Sequence, residues 1–196
     1  MGSVGFNAWF GGVSSEADAW ERVDQCLAGL GFSKGQADPL SGSVGYANPA
    51  FPTGVPLSIG VSGPVANFSI YPITNKLRRS SGDDKLRSLL RDLCDGTSVL
   101  LGRTDTAEMM GVVTEAELQS GPDWFDWFQY WGPDLVRRWG LDRIKAGPFR
   151  LVEPRPSGAC ALTLFDGPDD PDQMKLQRRA AKHLGIQLRE FPGSAF

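Results

Sequence analysis

The sequence predicts an α+β fold, with a largely antiparallel sheet and about four helices packed on it. Three observations support this. Strand-like segments come in groups between single helices instead of alternating strictly with them, which favours an antiparallel sheet with helices on one face. The chain has 196 residues, 41% of them apolar, enough for one substantial core and short for two ordinary domains. No internal repeat is evident, so residues 1–196 are expected to form a single domain.

The first strand and the first helix are predicted near the N-terminus. Residues 6–10 alternate as in a strand, and Gly11 and Gly12 end it. Ser15 is placed as a helix N-cap whose hydroxyl accepts the N–H of Asp18. Apolar residues then recur every three or four positions and predict a buried helix face: Ala17, Trp20, Val23, Leu27 and Leu30.

Residues 33–56 are rich in Gly, Pro, Ser and Asn, and they predict a long loop with a short strand at 44–47. A loop of this length in a compact domain is usually functional or mobile. Residues 57–61 and 68–71 both alternate, and the turn residues 62–64 between them predict a hairpin.

A second helix is predicted over residues 83–94, with Gly96 as its C-cap. Its inner stripe is formed by four leucines: Leu86, Leu89, Leu90 and Leu93. Residues 99–102 and 109–114 are further strand candidates, separated by the polar residues 103–108.

The segment 122–140 is the element around which the rest is expected to pack, because it holds four of the six tryptophans. Pro122 and Asp123 are typical of a helix start, and Trp124, Phe128 and Trp131 follow at i, i+4 and i+7. Proline rejects the α conformation for the residue before it, so Gly132-Pro133 interrupts this helix. A second short helix is predicted from Asp134 to Gly140, with three residues inward: Leu135, Val136 and Trp139.

Burial is the favoured interpretation of these aromatics, since one large aromatic contributes roughly 2–3 kcal/mol when it leaves water. The alternative is that some of Trp124, Trp127 and Tyr130 are exposed as a binding surface, because aromatics also anchor interfaces. Tyr130 is the one expected to reach solvent, since its hydroxyl needs a partner.

The C-terminal third predicts a hairpin and a last helix. Residues 149–153 and 159–165 form the hairpin around the turn 154–158. The helix starts with Asp170 as N-cap and Pro171 at its first position, and it ends at Gly185. Its predicted buried residues are Met174, Leu176, Ala180 and Leu184. Residues 186–191 are expected to add an edge strand.

Charge and cysteine usage restrict the function. The net charge is −3; residues 1–75 carry five acids and two bases, and the remainder carries eighteen of each. Neither half has the basic footprint of a nucleic-acid-binding protein. The three widely spaced cysteines indicate buried thiols in a reducing cytosol. Neither a secretion or lipidation signal nor a transmembrane segment is visible, so we expect a cytoplasmic protein with no membrane partner.

Catalytic motifs are missing from the sequence. Histidine occurs once, at His183, which removes the usual triads and most zinc sites. The acidic run Asp166, Asp169, Asp170 and Asp172 lacks calcium-loop spacing and is better explained as a solvated loop. A carboxylate pair such as Asp123 and Asp126 has almost no specificity. We therefore predict no catalytic residue, no metal and no cofactor.

Three segments of the C-terminal third carry a family resemblance. They are residues 123–130 (DWFDWFQY), residues 147–153 (GPFRLVE), and residues 161–164 (ALTL) followed by an Asp/Pro-rich loop and a helix ending at 183–186 (HLGI). Together they resemble bacterial polymorphic-toxin immunity proteins, most closely the immunity protein 52 family. The resemblance covers roughly residues 120–188 and consists of hydrophobic and aromatic anchors.

The resemblance implies a non-enzymatic protein that binds a cognate toxin and blocks it in the cytosol. No functional residue transfers by motif, so the candidate contacts are physical inferences. An acidic rim suited to a basic toxin cleft is formed by Asp166, Asp169, Asp170 and Asp172, with Trp124 and Tyr130 as anchors. The alternatives are an enzyme of unrecognised mechanism and a structural or adaptor protein of a phage or secretion system.

Overall fold

A single antiparallel sheet of nine strands organises the computed structural model, which describes residues 4–106, 118, 121–167 and 170–188. The strands are β1 Val4–Gly11, β2 Ser33–Ala37, β3 Val44–Asn48, β4 Phe51–Ser62, β5 Val65–Ile73, β6 Val99–Thr106, β7 Phe128–Trp131, β8 Leu151–Pro154 and β9 Cys160–Thr163. Their order across the sheet is β2-β3-β4-β5-β1-β6-β7-β9-β8.

Six helices lie within the described ranges. They are α1 Glu16–Gly29, α2 Asn75–Ser81, α3 Asp83–Thr97, α4 Pro133–Trp139, α5 Leu141–Lys145 and α6 Gln173–Leu184. All strand pairs are antiparallel, so the predicted α+β class is confirmed. No helix in the described ranges is long and apolar enough to cross a bilayer.

Helices cover both faces of the sheet, so the expectation of one covered face is wrong. Successive residues of a strand point to opposite faces. On β7, Tyr130 reaches Asp95 of α3, whereas the next residue, Trp131, packs on Trp139 of α4 with ring centroids 5.1 Å apart. All four residues of β7 are buried, because a central strand with helices on both sides has no solvent face.

The core on the α3 side is built from phenylalanines of three strands. Phe6 of β1 lies 6.0 Å from Phe68 of β5 and 5.9 Å from Phe128 of β7, measured between ring centroids. Gly102 of β6 lies beneath Phe6, and a Cβ there would come within 2.9 Å of the Phe6 ring. The absence of a side chain at this position lets α3 and β1 pack closely.

The N-terminal predictions are largely confirmed. The hydroxyl of Ser15 accepts the N–H of Asp18 at 3.1 Å and caps α1. Val23 and Leu27 are buried as predicted, but Ala17 is exposed and Ala19 takes its place in the core. The predicted β4–β5 hairpin is present, and its last pair joins residues 62 and 65.

The helix α3 is present with its four-leucine stripe buried, but it extends beyond the predicted end at residue 94. The C-cap is Ser98, which adopts the left-handed conformation with φ of 55°. Gly96 instead lies inside the helix, and a Cβ there would overlap the Sγ of Cys26 on α1. Gly96 therefore serves close packing of two helices and not helix termination.

The predicted loop over residues 33–56 is wrong apart from its short strand. Strands β2 and β3 and the first half of β4 occupy this region. Val44 and Tyr46 point inward on β3, and Val55 points inward on β4. Glycine at position 35 lets β2 approach β3 closely, because a Cβ there would come within 2.8 Å of the Gly45 carbonyl oxygen. The glycines that suggested a loop are here required by close strand packing.

The aromatic segment is the buried centre that the sequence predicted, but its first part is not a helix. Residues 122–127 are irregular and residues 128–131 form β7 between β6 and β9. Aromatic residues favour strands. The hydrogen bonds that β7 makes to a strand on each side outweigh a helical pattern that consists of only three apolar positions. The break at Gly132 is confirmed: α4 begins at Pro133 with Leu135 and Val136 buried and Trp139 half-buried, and it ends at Gly140 with φ of 77°.

The predicted C-terminal hairpin is present as β8 and β9, and α6 ends at Gly185 as predicted. The helix begins later than expected, with Asp172 and not Asp170 at the N-cap position. Ala180 and Leu184 are buried, whereas Met174 is 41% exposed. Residues 186–188 are not in a strand. The strand predicted at 109–114 and residues 189–191 of the edge strand lie outside the described residues.

Candidate interaction surfaces

Of the two aromatic residues predicted as partner anchors, Tyr130 is held inside the molecule. Tyr130 is 1% exposed, and its hydroxyl donates to Asp95 Oδ1 at 2.6 Å, so the expectation that it reaches solvent is wrong. Trp127 is fully buried. Trp124 is half-buried, and its carbonyl oxygen accepts the side-chain amide of Gln129 at 2.8 Å. Of the two predicted anchors, Trp124 alone reaches the surface.

A charged network surrounds the Tyr130 hydroxyl and joins α3 to the β8–β9 hairpin. Asp95 Oδ2 accepts the Nε of Arg155 at 2.8 Å. Arg91 binds Glu153 at 3.0 Å and the neighbouring Asp92 at 2.9 Å. The hydrogen bond to Asp92 raises the pKa of Arg91. Opposite charges thus satisfy one another between a helix and a hairpin, an arrangement that fixes their relative position.

Burial raises the pKa of Tyr130, and the hydrogen bond to Asp95 raises it further. Tyr130 therefore keeps its proton at neutral pH and acts as a hydrogen-bond donor. Burial likewise raises the pKa of Cys26 and of Cys160 to about 11. Both thiols are protonated at neutral pH and are poor nucleophiles.

The predicted acidic rim is gathered in the loop before α6. Asp166 forms an exposed ion pair with Arg150. Asp170 accepts the backbone N–H of Asp172 at 2.8 Å and that of Asp166 at 3.4 Å, so its carboxylate closes the loop. Asp172 is exposed and makes no side-chain cap. Asp169 lies outside the described residues, and in the described part of the chain there is no group of acidic, histidine or cysteine side chains placed to hold a metal.

A basic helix face lies next to this rim, and sequence analysis missed it. Four exposed cations of α6 recur at i, i+3, i+4 and i+7: Lys175, Arg178, Arg179 and Lys182. Such spacing puts them on one side of the helix. Beside them is an open depression of about 600 Å³ lined by residues 146–148, Arg179, Lys182 and His183. The rim acids therefore share their end of the molecule with a basic surface.

The single histidine fastens α6 to α5. His183 Nε2 lies 2.8 Å from the carbonyl oxygen of Arg143, and the Arg143 guanidinium donates to the carbonyl of His183 at 3.0 Å. The histidine thus has a structural role in this reciprocal contact, which holds one wall of the depression.

A second surface lies at the opposite edge of the sheet, where α1 faces the β2–β3 hairpin. An open depression of about 590 Å³ separates them. Its lining residues are Ala17, Trp20, Glu21, Asp24, Gln25, Lys34, Ala37, Gly42 and Val44. Half-buried Trp20 donates its indole N–H to Glu16 at 3.3 Å, and Lys34 Nζ lies 5.2 Å from the centroid of the indole ring.

The β2–β3 hairpin ends in an exposed apolar side chain. Leu40 is 96% exposed at the tip. Asp38 accepts the backbone N–H of Leu40 at 2.8 Å and so fixes the turn. At the base of the hairpin, Asp24 of α1 is bound by both Lys34 and the Tyr46 hydroxyl. The sequence predicted Trp20 in the core and a loop over residues 33–56, so it did not predict this surface. The feature of the sequence that could have indicated it is the row of acidic residues on the outer side of α1.

No family model and no curated protein matches the sequence. Among solved structures, the chain is similar to the Pseudomonas aeruginosa T6SS (type VI secretion system) protein PA0821. The TM-score is 0.57 at 10% sequence identity, and the match covers 94% of this chain and 76% of that protein. At this identity the similarity concerns the fold.

Proposed function

We propose that this chain is a cytoplasmic immunity protein that binds a cognate secreted toxin and neutralises it by surface complementarity, without catalysis. The observation that carries the proposal is the aromatic and hydrophobic pattern over residues 120–188, which resembles polymorphic-toxin immunity proteins. The fold shared with a T6SS protein over 94% of the chain fits a secretion-system setting.

The use of charged groups within the fold is consistent with a binding protein. A network of ion pairs joins three acids to two bases: Asp92, Asp95 and Glu153 with Arg91 and Arg155. The depressions at the two ends of the sheet are open to solvent, so another protein can reach them.

Co-expression tests this proposal. A candidate toxin domain, taken from the product of a gene that neighbours this chain's gene, is expressed in a sensitive host, with and without this chain. We expect restored growth and a stable complex on size-exclusion chromatography with light scattering. Toxicity that persists while this chain is folded and abundant would contradict the proposal.

A structural or adaptor role in the secretion system is the second candidate. It is favoured by the name of the similar structure, which places that protein in a T6SS without stating its role. An adaptor is expected to self-assemble or to bind a component of the apparatus, and to leave toxicity unchanged. Light scattering on the purified chain, together with the growth assay, separates the two candidates.

A further inference from the structure

We propose that the toxin docks on the surface formed by α1 and the β2–β3 hairpin, and that the toxin surface it meets is basic. We call this surface the hairpin face and define it by Glu16, Trp20, Glu21, Lys34 and Leu40. The inference rests on the proposed function and adds to it the binding face and the chemistry of the partner.

The hairpin face offers two large apolar side chains to a partner, Trp20 and Leu40. Interface energy is concentrated in a few large side chains near the centre of the contact, surrounded by polar residues that exclude water. Leu40 exposes 96% of its surface, and the depression beside the hairpin is lined by Trp20, Ala37 and Val44. Leu40 is placed to enter a pocket of the partner, while a partner side chain fills the depression.

The charge of the hairpin face selects the partner. Residues 1–75 contain five acids and two bases. Glu16 and Glu21 are exposed on α1, and they accept hydrogen bonds from Trp20 and Gln25, neutral donors that leave both negative charges in place. A toxin that acts on nucleic acids or nucleotides needs a basic cleft to bind phosphates. An acidic surface covering that cleft attracts the toxin and excludes its substrate.

The edge of the hairpin favours side-chain docking over addition of a partner strand. Strand β2 is an edge strand of five residues, and its pairing with β3 is irregular between Lys34 and Ala37. A short, irregular edge that carries a lysine resists strand addition. Binding is therefore expected to depend on Leu40 and the α1 carboxylates.

The basic face of α6 lies at the other end of the molecule, which makes a matched comparison possible. Strands β2 and β8 are the two edges of the sheet, eight strand spacings apart. This is a path on the order of 40 Å along the sheet. Variants on the α6 side thus control for changes of charge and hydrophobicity without touching the hairpin face.

The test measures binding of each purified full-length variant to a catalytically inactivated form of the neighbouring gene's toxin domain, by calorimetry and surface plasmon resonance. Leu40→Asp and Glu21→Lys alter the hairpin face. Met174→Asp and Asp142→Lys introduce the same chemistry at exposed positions of α6 and α5. Thermal unfolding of all four variants establishes that each is folded.

We expect Leu40→Asp to raise the Kd at least about tenfold, because it replaces an apolar contact with a charge that the interface would bury without a partner. We expect Glu21→Lys to raise it about tenfold, mainly through slower association, and to weaken the dependence of association on salt. Met174→Asp and Asp142→Lys should bind within about twofold of wild type, because changes outside an interface leave its contacts intact.

Four results would overturn the inference. If all four variants bind like wild type, the docking face is wrong while the proposed function stands. If only the α6 and α5 variants lose binding, the basic end is the docking face. If the wild-type chain alone is a dimer that Leu40→Asp dissociates, the hairpin face belongs to a second copy. A wild-type chain that does not bind the toxin domain at all removes the proposed function as well.

Discussion

Tyr130 on β7 donates its hydroxyl to Asp95 Oδ1 on α3, and Arg155 binds the other carboxylate oxygen of Asp95 from the β8–β9 hairpin. One carboxylate thus links the centre of the sheet, a helix and a hairpin far apart in sequence. Because Tyr130 is buried, removal of its hydroxyl leaves part of the Asp95 charge without its partner.

We predict that Tyr130→Phe lowers the free energy of unfolding by about 1.5–3 kcal/mol, the usual contribution of a hydrogen bond to a charged group. Urea denaturation measures the loss. Tyr71→Phe is the matched control, since Tyr71 is 39% exposed and should lose little. Equal losses in the two variants would mean that the bond to Asp95 contributes nothing to stability.

The contact between Gly96 of α3 and Cys26 of α1 predicts that substitutions at these two positions are coupled. A Cβ at Gly96 would overlap Cys26 Sγ and lie 3.3 Å from Cys26 Cβ. We therefore expect Gly96→Ala to cost about 1–3 kcal/mol, the range found for overpacked cores. Rotation of the thiol relieves only the first of the two contacts.

In a Cys26→Ala background the overlap with Sγ is gone and only the 3.3 Å contact with the Cβ at position 26 remains. The same Gly96→Ala change should then cost clearly less, since the helix preference of alanine over glycine, up to about 1 kcal/mol, offsets the remaining contact. The double-mutant cycle, followed by thermal or urea unfolding, gives the coupling between the two positions. Additive effects would show that the two helices do not meet through these residues.

Alkaline pH should destabilise the protein. Burial is the main cause that raises the pKa of Cys26 and Cys160 to about 11, from an ordinary value of 9.0. The folded state therefore retains protons that the unfolded state has already released. The contribution of these thiols to stability is complete below pH 9 and decreases as the pH rises towards 11.

Melting temperatures between pH 7 and pH 11 test this expectation. The fall should begin near pH 9 and be less steep for Cys26→Ser, since serine does not titrate in this range. Buried Tyr46 and Tyr130 act in the same direction at higher pH, because burial raises the pKa of each. A melting temperature that is constant up to pH 11 would contradict the assignment.

The sequence predicted a helix or strand correctly where a local pattern extended over the whole element. The Ser15 cap of α1 and the leucine stripe of α3 are examples. It was insufficient where long-range pairing determined the structure. Residues 128–131 match a helix by spacing, yet they are paired with β6 and β9. Gly35 suggested a loop, yet it lies in a strand where an added Cβ would meet the backbone of β3.

The candidate surfaces depend still more on tertiary contacts. Whether an acid presents its charge to a partner depends on its neighbours in space: Asp24 is bound by Lys34 and Tyr46, whereas Glu21 binds only neutral Gln25 among its described contacts. Composition showed that the N-terminal part is acidic. It did not show that Trp20 and Leu40 accompany those acids at one edge of the sheet, because that required the predicted loop to be a hairpin.

The loop before α6 separates two aspartates with different roles. Asp170 was predicted as the N-cap, but its carboxylate accepts hydrogen bonds from two backbone N–H groups of its own loop, those of Asp172 and Asp166. Asp170→Ala leaves both N–H groups without this acceptor, so we expect the free energy of unfolding to fall by about 0.5–2 kcal/mol, similar to the loss of a helix cap.

Asp172→Ala is the control: its carboxylate makes no cap bond, and only a small change in the free energy of unfolding is expected. Asp170→Asn keeps an acceptor oxygen and should recover most of the loss in urea unfolding. A larger loss for Asp172→Ala than for Asp170→Ala would mean that Asp172, and not Asp170, holds the start of α6.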